Sequence, residues 1–158
     1  MLDLREFLFN QLKVVRTNTI NAVKELSESQ AGAIPEGFNN NILWNLGHVY
    51  LVQEKFAFGF IPEPMHMPEA FTELFGRETK PSEWKVQPPT LTELIKLLED
   101  QTGRIEESLI NRLDEVVGNP FTMPSGLTLK TIGEFLIFSM YHEGMHVQTI
   151  RMLKRFSA

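Results

Sequence analysis

Tyr141-His142-Glu143-Gly144-Met145-His146-Val147-Gln148 places two histidines four residues apart. On a helix, residues i and i+4 share a face with Cβ atoms about 5–6 Å apart. Both imidazoles can then converge on one ion, since Zn–N bonds run about 2.0–2.1 Å. Counting outward in alternating steps of three and four gives Ile132, Phe135, Ser139, His142, His146, Thr149 and Leu153. The ends of that stripe are apolar and its middle is polar. Buried polar groups need partners, and a metal ion is the simplest partner for such a run. The stretch predicts a long last helix, from a cap at Thr128 to about Phe156, with a metal site on its inward face.

Upstream, three more helices are expected. Residues 3–28 open on a capping-box-like Asp3 and Glu6, and Leu4, Leu8, Leu12, Val15, Ala22, Val23 and Leu26 recur at helical spacing. Residues 27–41 read as a connector broken by Pro35 and Gly37, with Asn39 or Asn40 as the next cap. The second helix, about 41–59, carries Ile42, Leu46, Val49, Val52 and Phe56 on its apolar side with His48 among them, and Gly59 and Pro62 end it. A stretch over 60–89 holds six prolines, and a loop of that length in a compact domain is often functional. It is expected to hold a short helix from Pro68, with Phe71, Leu74 and Phe75 inward and Trp84 plugging the core. Thr90 and Glu93 form a capping box for the third helix, whose stripe runs Leu91, Leu94, Ile95, Leu98, Thr102, Ile105, Leu109, Leu113, to about 116. No segment shows strand alternation. The expected fold is all-α, a four-helix bundle whose long crossover lets helices two and three run the same way.

Composition narrows the function. The chain of 158 residues reads as a single domain, 1–158, able to bury a core without staples. Its formal charge of −5 and its lack of a Lys/Arg cluster argue against nucleic acid. It has no cysteine, so it has neither disulfides nor a thiolate site, and any thiol chemistry must use a thiol from outside. Charges within the first six residues do not suit a signal peptide, and no apolar run approaches the roughly 20 residues of a membrane span. A soluble, cytoplasmic domain is expected.

Three of the four histidines can meet. His48 lies about 10 Å from the start of its helix, and His142 and His146 roughly 15–20 Å from the end of theirs. Antiparallel packing brings them to similar depth, and bundle interiors are where such folds build metal sites. The set His48, His142, His146 would leave a coordination position open, as catalytic sites do. His66, beside Met65 and Met67, reads as surface or pocket rim. The letters His-Glu-x-x-His also spell a metalloprotease motif. That reading fails, because none of the twelve residues after His146 is His, Asp or Glu. Glu143 is then expected on the helix surface, or accepting a ring N–H from a ligand histidine. Asn45, Ser139 and Thr149 are candidate pocket residues or ordinary packing residues, and Phe56, Phe58, Phe60, Phe71 and Phe75 read as core.

Trp44-Asn45-Leu46-Gly47-His48 and His142-x-x-x-His146-x-Gln148, together with Ile34-Pro35-Glu36-Gly37-Phe38 and Thr131-Ile132-Gly133-Glu134, resemble the DinB/YfiT-like superfamily of metal-dependent proteins. The resemblance spans essentially the whole chain. It implies a four-helix bundle with a long second crossover, often a homodimer. It also implies a divalent ion, nickel or zinc or another first-row metal such as iron or manganese, on His48, His142 and His146. Relatives include S-transferases that use low-molecular-weight thiols, so the resemblance implies a thiol transferase acting on a small electrophile. A metal-dependent hydrolase, or a non-catalytic metal-binding or dimerisation module in stress response, is the alternative. An open metal position separates an enzyme from a closed structural site.

Overall fold

Capping side chains set where the helices begin. In the computed structural model, which describes residues 3–157, the Asp3 carboxylate accepts from the backbone N–H groups of Arg5 and Glu6 to start α1 (Leu4–Val23). Ser27 and Gln30 form a capping box for α2 (Glu28–Gly32). Asn41, one residue beyond the expected Asn39 or Asn40, accepts from the Trp44 N–H to start α3 (Ile42–Phe58). In the crossover, α4 (Phe71–Phe75) precedes a single 3₁₀ turn, Pro81–Glu83. Capping boxes at Thr90/Glu93 and Thr131/Glu134 open α5 (Leu91–Leu109) and α6 (Ile132–Phe156).

Several sequence boundaries are corrected. The first helix stops at Val23 rather than 28, because Ser27 caps a helix of its own inside the expected connector. The third stops at Leu109 rather than 116, and the last is capped by Thr131 rather than Thr128. The residues between them form a hairpin, so the fold is mostly helical rather than all-α. Its strands β1 (Val116–Thr122) and β2 (Thr128–Thr131) pair antiparallel, Phe121 opposite Leu129. The Met123-Pro124-Ser125-Gly126 turn closes with Gly126 at φ +90°, a conformation suited to glycine. Only Val117 and Leu129 of the hairpin are buried, capping the interior beside Phe60.

Side-chain pairings give the helix directions. Gln101 and Arg104 reach Tyr50 and Glu54 in rising order, so α5 runs with α3. Arg16 meets Glu143, and Lys154 reaches the Ala22 carbonyl, so α1 runs with α6. Asn45 meets His146 whereas Phe56 meets Phe138, so α3 and α6 are antiparallel. The parallel α3–α5 pair is what the long crossover permits.

Each long helix reads apolar, polar, apolar along its buried face. One apolar cluster contains Val23, Leu46, Leu94 and Ile150, and the other Leu12, Phe58, Ile105 and Phe135. Between them lie buried Arg16 and Thr19 on α1, Gln53 and Glu54 on α3, Gln101 and Thr102 on α5, and Ser139 and Glu143 on α6. Arg16 Nε and Nη2 donate to Glu143 at 2.8 and 3.2 Å, and Nη1 donates to the Leu98 carbonyl and Gln101. Gln101 in turn donates to Glu54, which also receives Arg104. A buried charge is tolerated only when paired and hydrogen-bonded; this layer meets that condition for Arg16, Glu143 and Glu54.

Candidate metal centre

His48 on α3 and His142 and His146 on α6 come together where those helices pack. One ring nitrogen of each, an atom able to hold an ion, lies within 4.8 Å of the other two. Ring centroids are 5.2 Å apart for His48 and His142, 5.0 Å for His48 and His146, and 4.6 Å for His142 and His146. All three are partly buried. The i, i+4 spacing and the antiparallel packing account for the convergence.

Two rings are held in one tautomer by acceptors outside the centre. The Asn45 amide nitrogen donates to the Asn41 carbonyl at 2.8 Å, which turns Asn45 Oδ1 toward His146 Nδ1, also at 2.8 Å. Only a protonated Nδ1 can use that oxygen, so the Nε2 lone pair of His146 is left for a ligand. His48 Nδ1 likewise donates to the Phe75 carbonyl at 2.7 Å. Such outer partners orient a metal-binding imidazole and raise its basicity. Trp44 stacks on His48 with centroids 4.6 Å apart and planes at 11°, and Phe56 stands 6.5 Å from His142.

Phe75 reaches His48 because of Gly47. The Phe75 ring lies against the helix at Gly47, where a Cβ would sit 2.4 Å from it. Ala70 and Glu78, on either side of α4, take left-handed backbone at φ 63° and 70°, a cost of about 1–2 kcal/mol each. Thr79 and Trp84 tie the segment down: the Trp44 indole donates to Thr79 Oγ1, and the Trp84 indole to the Leu74 carbonyl.

Burial, together with the neighbouring rings, keeps the imidazoles neutral. It lowers His142 to about 4 and His146 to about 3, with the adjacent histidines contributing. His48 is also lowered, first by burial, against the Phe75 hydrogen bond and with the Lys55 charge. Three neutral imidazoles are the form a divalent ion requires, and the donor set fits one. Among the described residues no fourth His, Asp or Glu joins the group.

Residues 11–150 match the family model described as the DinB superfamily. The chain belongs to the DinB superfamily. No curated protein sequence matches it.

The remaining candidates of this DinB-superfamily chain distribute as follows. Asn45 touches the centre. Ser139 and Thr149 instead donate to carbonyls of their own helix, Leu136 and Met145, and are packing residues. His66 is exposed on a separate cavity of about 750 Å³ with Tyr50, Asp100 and Arg104. Glu143 is neither on the surface nor a partner of a histidine ring; it is buried against Arg16 and Thr19. Phe58, Phe71 and Phe75 are core, and Phe56 and Phe60 partly so. The Phe75 carbonyl was not foreseen, since every residue has a carbonyl and only the crossover's path selects this one.

Proposed function

We propose that this DinB-superfamily protein is a divalent-metal-dependent thiol S-transferase that joins a low-molecular-weight thiol to a small electrophile. The observation that carries the reading is the convergence of three neutral, partly exposed imidazoles with no fourth protein ligand among the described residues. That is the donor pattern of a catalytic rather than a structural site. His48, His142 and His146 would hold the ion, nickel or zinc foremost, with iron or manganese as alternatives. Such an ion lowers the pKa of a thiol or water and supplies an anionic nucleophile near neutral pH.

The chain's own residues do the rest. Asn45 and the Phe75 carbonyl aim the Nε2 atoms of His146 and His48, and Trp44 and Phe56 offer apolar walls to an electrophile. No cysteine is present, so the thiol arrives as cosubstrate. Its sulfur bonds to the electrophilic carbon, the leaving group departs with its electron pair, and the thiol proton goes to water. The proposal takes a four-helix DinB-type bundle as the scaffold, the cytoplasm as the location and a homodimer as the assembly. Exposed Phe7 on α1 and Ile137 and Tyr141 on α6 support a protein contact there. Among the described residues no helix is long and apolar enough to cross a membrane.

Elemental analysis of untagged protein beside the His48→Ala and His146→Ala variants tests the centre. We expect close to one ion per chain in the wild type, loss in both variants and unchanged helical circular dichroism. Wild-type metal content in both variants would sink the assignment. A screen of thiols against electrophiles then tests the reaction.

A further inference from the structure

Gln53 is only 2% exposed, yet neither its Nε2 nor its Oε1 has a hydrogen-bond partner among the described residues. Exchanging the two ends of the amide changes nothing, since both are unpaired. The rest of the polar layer is joined in a chain: Glu54 to Gln101, Gln101 to Arg16, and Arg16 to Glu143. Arg16 spans the centre of the bundle, reaching from α1 to Leu98 and Gln101 on α5 and to Glu143 on α6. Successive helical residues turn by about 100°. Asn45 and Phe56 mark the side of α3 that meets α6, and Tyr50 and Glu54 the side that meets α5. Gln53 falls between those sides, in one stripe with buried Leu46, Val49 and Ala57. Its amide therefore belongs to the bundle axis that Arg16 enters from the opposite helix.

We propose that this axis holds a resident water molecule, bound by the Gln53 amide and facing the Arg16–Glu143 pair. A carboxamide carries two N–H donors and an acceptor oxygen, and buried polar groups are seldom left unpaired. Buried waters make about three hydrogen bonds to such groups. Further capacity lies on the ion pair. Among the described residues Glu143 Oε2 accepts only from Arg16 Nη2, and Nη2 donates only to it, which leaves a lone pair and an N–H. The water site is independent of the metal centre and of the reaction proposed there. An amide with no partner at all is the competing account. It predicts that an apolar side chain of similar length stabilises the protein, because the desolvated groups are gone. A bound water predicts the opposite, because the variant takes away its main partner.

The test counts waters. Oxygen-17 magnetic relaxation dispersion, which detects water held inside a protein for longer than its tumbling time, is run on wild type and Gln53→Met. Zinc(II) is present in both samples, so water on the metal centre cancels in the difference. A second readout needs no variant: cross-relaxation between the Gln53 side-chain N–H protons and water in the wild type. We expect Gln53→Met to lose about one long-lived water per chain and to unfold at lower urea concentration. We expect the wild-type amide to show the cross-peak of a bound water. Equal dispersion in the two proteins would overturn the proposal, as would a Gln53→Met unfolding midpoint above that of wild type. Should the variant fail to fold, a wild-type Gln53 amide without the water cross-peak overturns it alone.

Discussion

Asn45 shows how much a single amide decides. Its two ends are not interchangeable: one donates to Asn41, which leaves the other as an acceptor for His146. Replacing it with alanine removes the acceptor and frees the ring to turn or change tautomer. We expect Asn45→Ala to weaken metal binding about 10–100-fold, read by competition with a chromophoric chelator, with helicity unchanged. The convergence of His48, His142 and His146 was legible in the sequence because their chemistry is rare and the spacing of the last two is periodic. Glu143 was misplaced because successive helical residues point about 100° apart. The residue next to His142 therefore faces another neighbour, here Arg16.

Among the elements, α4 matters beyond its five residues. It carries the carbonyl that holds His48, and it can approach α3 only over Gly47. A methyl at that position must displace the Phe75 ring. We expect Gly47→Ala to cost about 1–3 kcal/mol of stability, measured by urea denaturation, and to weaken metal retention as the Phe75 carbonyl moves off His48. The glycine was visible as a letter in the Trp44–His48 motif, but nothing in the sequence says which ring lies on it. Helix starts were legible where a capping box stood alone, as at Thr90 and Glu93, and missed where a second candidate lay nearby, as with Thr128 before Thr131. The hairpin escaped because Gly118 and Pro120 disfavour strand and only two of its residues face the interior.

For the molecule as a whole, the polar layer between the two apolar clusters is the least expected feature. It interrupts the stripe on all four long helices, so periodicity alone reads Arg16, Glu54, Gln101 and Glu143 as surface. Arg16→Met leaves the Glu143 carboxylate buried without its partner, and we expect a loss of about 3–5 kcal/mol in chemical denaturation. Adding Glu143→Leu to that variant should recover most of the loss, since an apolar pair of similar volume is often neutral in such a position. A double variant as unstable as the single one would mean that the layer is needed for more than the pairing of these two charges.

The centre draws its donors from distant parts of the chain: Asn45 and His146, in direct contact, are 101 residues apart in sequence. An ion gripping α3 and α6 would act as a reversible cross-link closing a loop of roughly that size. Closing a long loop restricts the unfolded chain most, so the midpoint of thermal unfolding should rise with metal concentration. During folding the same separation makes the centre a late arrival. It is complete only when the crossover sits on Gly47 and the last helix is docked, so an ion held there would mark a chain that has finished folding.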